Sequence, residues 1–168
     1  MAERAATPTK RRPKWRSEPE QRAWRALIRV TSGVMATLDG ELRIEHGLSL
    51  GEYEVLVLLS ETPDHSLRMT ELAGHLHLSP SGITRRIDGL VRRGLVERKQ
   101  CPSDRRGSNG VLTADGWQLL EAAAPTHVRG VRRHFVDQLS ARQLANLEAA
   151  LSSVSIDADA AAGGCDGV

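Results

Sequence analysis

The side chains best suited to chemistry in this chain are arginines in its middle third. Arg85 and Arg86 lie in the stretch from Ser79 to Gly94, which reads SPSGITRRIDGLVRRG, and Arg105 and Arg106 lie in the run from Cys101 to Gly110, which reads CPSDRRGSNG. A guanidinium is always charged, planar and forked, so it can grip a phosphate or the O6/N7 edge of guanine. Ser79, Ser81 and Thr84 add short hydroxyl side chains beside the first arginine pair. This is chemistry of recognition. There is no nucleophile elbow, phosphate loop, paired-carboxylate motif or metal triad, so the chain is not expected to be an enzyme. His75 and His77 form a His-x-His pair, but side chains two apart on a helix diverge, and His127 and His134 have no Cys or Glu completing a set. Neither a metal nor a cofactor is expected. Cys101 borders the basic run, where a thiolate would be stabilised, but nothing else there points to redox sensing.

The elements that must position these residues can be read from caps and periodicity. Ser79 suits a helix cap and Pro80 the first helical position. Ile83, Ile87, Leu90 and Val91 then mark an apolar face, Gly94 marks a stop, and Ser81, Gly82, Thr84, Arg85 and Asp88 mark a polar face. Such a face fits a DNA major groove roughly 12 Å wide, although an ordinary amphipathic surface helix has the same pattern. Upstream, a helix with Leu72, Ala73 and Leu76 inward is expected to start at Thr70-Glu71 and stop near His77-Leu78, making a helix-turn-helix. Downstream, residues 95–100 alternate like a strand, the run 101–110 is expected as a turn, and Val111-Leu112 as the returning strand. Together they form a basic hairpin, or wing. Arg105 and Arg106 on it are either DNA contacts or solvated loop charges. Arg85 could grip guanine or phosphate, and the sequence leaves both open.

The rest of the chain frames this module. Residues 1–16 carry Lys10, Arg11, Arg12, Lys14 and Arg16 and read as a flexible basic arm. Ser17-Glu18-Pro19-Glu20 opens a long helix with Trp24, Leu27, Ile28, Val34, Met35 and Leu38, expected to reach about Ile44. Ser49-Leu50-Gly51-Glu52 opens a second, apolar on most sides and so expected at the centre of the fold. Ser66-Leu67-Arg68 could pair as a short strand. Thr113 suits the cap of a helix with Trp117, Leu120, Ala124, Val128, Val131 and Phe135, and Ser140-Ala141-Arg142-Gln143 opens the last helix. The apolar stripes of the terminal helices lack an obvious partner within one chain. They are expected to pair between two chains, setting two reading helices about one DNA turn apart. The expected organisation is a flexible arm (1–16), an N-terminal dimerisation helix (17–48), a winged helix-turn-helix (49–112), C-terminal dimerisation helices (113–156) and a disordered tail (157–168).

Composition agrees with a mostly helical α+β globule. The chain has 168 residues, 40% hydrophobic and 26% charged, with a net charge of +2 that alone names no partner. Two cysteines far apart suggest a reduced, cytoplasmic setting rather than a disulfide framework. No run approaches the roughly 18 apolar residues of a membrane span.

From about Ala23 to Val154 the chain resembles the MarR (multiple antibiotic resistance regulator) family of transcription factors. The resemblance rests on CPSDRRGSNGVLTADG (101–116), similar to the family's wing signature, and on SLGEYEVLVLLSE and GLVRRGLVERK. It implies a homodimeric DNA-binding regulator, a repressor released from a pseudo-palindromic operator by a small-molecule effector. It also implies that Ser79, Ser81, Thr84, Arg85 and Arg86 face bases or phosphates, that Arg106 with Arg105 enters a minor groove from the wing, and that Asp104 braces the wing. Trp24, Met35, His46, Tyr53 and Trp117 would line an effector pocket, unless they are simply core residues. The family usually has strand formers where this chain has Ser108-Asn109-Gly110. Asn-Gly favours a tight turn, so the returning strand is expected to start late or the wing tip to be displaced. The competing function is an architectural or protein-docking winged helix without operator specificity.

Overall fold

The computed structural model describes residues 17–101 and 104–155, and of Cys101 and residues 104–106 it describes only the backbone. The basic arm and the C-terminal tail lie outside the described residues. The elements in chain order are α1 (Glu18–His46), α2 (Leu50–Ser60), β1 (Ser66–Arg68), α3 (Met69–His75), α4 (Pro80–Arg92), β2 (Val96–Cys101), β3 (Asp104–Leu112), α5 (Ala114–His134), a short 3-10 turn (Val136–Gln138) and α6 (Ala141–Ser152). The fold is mostly helical, with one small antiparallel sheet in the order β1-β3-β2. The described residues divide into two compact units, one up to Gly33 and one from Val34 onward.

In the first unit, the start of α1 is capped as its sequence requires. Ser17 N donates to Glu20 Oε2 (2.7 Å), and Glu20 N donates to Ser17 Oγ (3.4 Å). Glu18 and Glu20 sit at the positive end of the helix dipole. Trp24, Leu27, Ile28 and Val30 remain 40 to 50% exposed, too large an apolar set to be typical of a solvated face.

In the second unit, the core gathers round α2. Val55, Leu56 and Leu59 are fully buried, and Leu38 and Leu42 of α1, Leu72 of α3, Ile83, Ile87 and Leu90 of α4 and Val96 of β2 join them. The start of α2 is tied twice. Ser49 forms a reciprocal capping box with Glu52, and the Leu50 amide donates to Asp39 Oδ1 on α1 (2.8 Å). Arg43 Nε donates to the other oxygen of Asp39 (2.6 Å). These two bonds, the Arg43 one foremost, hold the Asp39 carboxyl below its ordinary pKa.

The α3–α4 connection closes in a Schellman motif: Leu78 N donates to Ala73 O (2.9 Å) and His77 N to Gly74 O (3.2 Å). The left-handed residue is His77, at φ +49. α4 ends in the same motif, with Gly94 at φ +71 in that role. α3 starts at Met69, one residue before the expected Thr70.

Three expectations need correction. Val91 was expected inward and is 37% exposed, since Ile83, Ile87 and Leu90 already cover the contact with the core. On α5 the inward residues are Gly116, Leu120, Ala123, Thr126 and Gly130. Trp117 and Val128 were expected on that face, but Trp117 is 37% and Val128 55% exposed. Small side chains decide this. A Cβ on Gly116 would collide with the Leu95 carbonyl, and one on Gly130 would sit 2.6 Å from Leu38 Cδ2, so α5 lies too close for a larger face. Finally, Ser108-Asn109-Gly110 is not a turn. Asn109 pairs with Arg68 of β1 and Lys99 of β2, in the middle of the sheet. Asn109 Nδ2 donates to Ser66 Oγ (3.2 Å), and Gly110 is buried where a Cβ would touch Leu72, Ile87 and Val96. The irregularity lies nearer the tip: Gln100 pairs with Ser108 but Cys101 pairs with Asp104, so the backbone of Arg105, Arg106 and Gly107 falls within the register slip.

Two stability outcomes follow. His77→Gly relieves the left-handed cost and is expected to stabilise the fold by about 1 kcal/mol, read as a higher melting temperature. Gly116→Ala is expected to destabilise it by about 3 kcal/mol, because the obstacle is backbone; an unchanged denaturation midpoint would contradict the close approach of α5.

Candidate nucleic-acid interface

α4 is fixed before it presents anything. Ile83, Ile87 and Leu90 are essentially inaccessible and hold it on the core. Ser79 caps its start, with Gly82 N donating to Ser79 Oγ (3.2 Å), and Ser79 Oγ lies 3.2 Å from Ser81 Oγ. The first turn is therefore walled by hydroxyls. Ser79, Ser81, Thr84 and Arg85 are exposed, and Arg86 is half-buried. The Arg86 guanidinium lies over Gly51, close enough that a Cβ there would come within 2.5 to 2.7 Å of it.

The electrostatics separate arginines that are occupied from those that are not. Arg98 of β2 donates to the Thr84 carbonyl (3.3 Å) and pairs with Asp88 (3.0 Å), tying the wing's first strand to α4. Arg93 pairs with Glu52 (3.4 Å) and Arg43 with Asp39 (2.6 Å). Among the described residues, Arg85, Arg86 and Arg92 have no ion-pair or hydrogen-bond partner. A surface with such charges left over favours an anion. Arg98 was missed from the sequence. Its only signal was the strand-like alternation of residues 95–100, which does not say what its side chain meets. Asp104, Arg105 and Arg106 stand at the start of β3; their side chains lie outside the described residues.

The five residues proposed for a small-molecule pocket are distributed as follows. Trp24 belongs to the first unit and is half-exposed, as is Met35 in the second. His46 and Tyr53 both meet α5. Thr126 Oγ1 donates to Glu45 Oε2 (2.7 Å) and lies 2.9 Å from His46 Nε2. The Tyr53 ring lies 4.7 Å from the His127 ring, whose Nδ1 is buried without a hydrogen-bond partner. Burial lowers the His127 pKa, against the pull of Glu54, and raises that of Tyr53. Trp117 lies apart, 5.0 Å from the His65 ring. Among the described residues, no three His, Cys, Asp or Glu are grouped to hold a metal, and no helix is long and apolar enough to cross a membrane.

Comparison with known proteins places this geometry. The MarR family profile matches residues 48–108, from the start of α2 into β3. AbsC, a MarR family transcriptional regulator from Streptomyces coelicolor, is 38% identical and superposes with a TM-score of 0.77, over 83% of this chain and 93% of AbsC. Sco3205, a MarR family regulator of the same organism solved in complex with DNA, is 35% identical with a TM-score of 0.78, over 83% of this chain and 88% of Sco3205. In sequence, the transcriptional repressor YetL of Bacillus subtilis is 36% identical over 95 residues, 55% of this chain and 57% of YetL, so the chain spans little more than half of that relative. A capped helix held by an apolar face, a three-stranded wing sheet and near-complete coverage of AbsC at this identity lead to one assignment: the chain belongs to the MarR family.

Proposed function

We propose that this chain is a sequence-specific DNA-binding transcriptional regulator, working as a homodimeric repressor that a small-molecule effector releases from a pseudo-palindromic operator. One observation carries the reading. α4 is locked to the core by one face, while its exposed side offers short hydroxyls and arginines without internal partners. Ser79, Ser81, Thr84, Arg85 and Arg86 contact the major groove and its phosphates, and Arg105 and Arg106 reach a minor groove, where a narrow groove's potential favours arginine. Asp104 braces the wing together with the Arg98–Asp88 pair. The similarity to Sco3205, whose structure contains DNA, and to YetL, described as a repressor, supports the same reading.

Residues 49–112 form the reading module, and residues 17–48 and 113–156 the dimerisation parts. Support comes from apolar side chains left in solvent: Trp24, Leu27 and Ile28 near the start of α1, and Val128, Leu151 and Val154 towards the C-terminus. The effector acts by linkage. Whatever binds the DNA-incompetent arrangement more tightly lowers DNA affinity by the ratio of its two affinities. His46 and Tyr53, which both meet α5, are its proposed contacts, and the unpaired Nδ1 of His127 beside Tyr53 would give such a ligand a polar anchor.

Footprinting on genomic fragments retained by the purified protein tests the function: one protected pseudo-palindrome is expected, and uniform protection would instead indicate an architectural protein. On that operator, Arg85→Ala and Arg106→Ala should each weaken binding by about 1–3 kcal/mol at fixed salt, with melting curves unchanged. Light scattering should return twice the chain mass. Ile28→Glu should weaken self-association by about 2 kcal/mol and reduce operator affinity with it; a fully dimeric Ile28→Glu protein would remove α1 from the interface.

A further inference from the structure

The charge of α4 extends around the helix from the side that carries Ser81 and Thr84, through Arg85, Arg86 and Arg92. A groove of about 380 Å³ runs beside it, walled by Arg85, Arg86, Gly89 and Arg92 of α4, by Arg43 in the last turn of α1 and by Glu52 in the first turn of α2. Its charge is unbalanced. Glu52, its acid, is already occupied, accepting from Ser49 N (2.9 Å), Ser49 Oγ (2.7 Å) and Arg93 Nη1 (3.4 Å). Arg43 is shared with Asp39, while Arg85, Arg86 and Arg92 are unpaired among the described residues. The groove's floor has a feature that the protein's own packing does not require. Glycine weakens a helix interior relative to alanine, yet a Cβ on Gly89 would meet only Glu52 Oε1 at 3.7 Å and Arg92 Nη2 at 3.9 Å, both ordinary contacts. Glycine at this position leaves room for a group from outside.

We propose that this groove seats the sugar-phosphate backbone of the DNA strand bordering the major groove that α4 enters. Arg43, Arg86 and Arg92 supply its sequence-independent charge. The inference rests on the DNA-binding reading above and adds Arg43 and Arg92 to it. Two things favour a backbone over a small free anion. The groove shares Arg85 with the reading face and so continues it. Arg85 and Arg92 are also two turns apart, about 10 Å along the helix axis at 1.5 Å per residue. A small anion cannot span that length, whereas a strand with a charge on every nucleotide can.

The test is the salt dependence of binding by the full chain to a mixed-sequence duplex, followed by fluorescence anisotropy across a potassium chloride series. Arg43→Gln, Arg86→Gln and Arg92→Gln are each expected to flatten the log affinity against log salt slope by about 1.8, one phosphate's worth of released counterions from each protomer of the dimer. Arg86→Lys should keep most of the slope, because a point charge still holds a phosphate. Arg133→Gln, on α5 and outside the groove, should leave it unchanged. Unaltered slopes in the three glutamine variants would overturn the proposal, as would a loss in Arg86→Lys equal to that in Arg86→Gln or a like loss in Arg133→Gln. No duplex binding by the unsubstituted protein would instead overturn the functional reading beneath it.

Discussion

Everything in the second unit depends on the burial of α2. Its side chains are apolar on nearly every side, and Val55, Leu56 and Leu59 have no exposed surface. Each such side chain is worth roughly 1.5–3 kcal/mol when taken from water, but only if every face of the helix finds a cover. α4, α5, β1 and β3 provide those covers. α2 is thus less an element with a role of its own than the surface on which the others are oriented. The exposed face of α4 is held still because its opposite face helps to seal this core.

Polar bonds then set orientation where burial alone would not. Asp39 joins the end of α1 to the start of α2 through Arg43 and the Leu50 amide. Arg98 joins β2 to α4 through Asp88 and the Thr84 carbonyl. Both sites are partly solvated, so neither is a large source of stability. Their effect is directional: they fix a helix junction and a strand–helix junction on either side of α4. Among the described residues, three of the arginines left over from this pairing, Arg85, Arg86 and Arg92, lie on α4.

α5 shows how close approach competes with hydrophobicity. Trp117 and Val128 are turned outward, and glycine, alanine and threonine face the core alongside Leu120. Thr126 is buried at no cost in unpaired groups, since its hydroxyl donates to Glu45 and lies against His46 and Arg129. The outward residues keep apolar surface on the side of α5 that the described residues leave partly uncovered.

What the sequence determined by itself was the set of elements and where most of them begin. Ser17, Ser49, Ser79, Thr113 and Ser140 each cap the helix expected of them, because a cap is a bond between residues three apart and needs nothing from the rest of the chain. The inward face of α4 was legible for the same reason, at Ile83, Ile87 and Leu90. Tertiary structure decided the matters in which distant atoms compete. The local preference of Asn109-Gly110 for a turn yields to two neighbouring strands and to a buried site between Leu72, Ile87 and Val96. The face of α5 was set by the Leu95 carbonyl and the Leu38 side chain, neither of which α5's own periodicity can register. Which arginines are free is likewise a property of the fold, because an arginine's charge is fixed by its type but its partner is fixed by what the chain brings within reach.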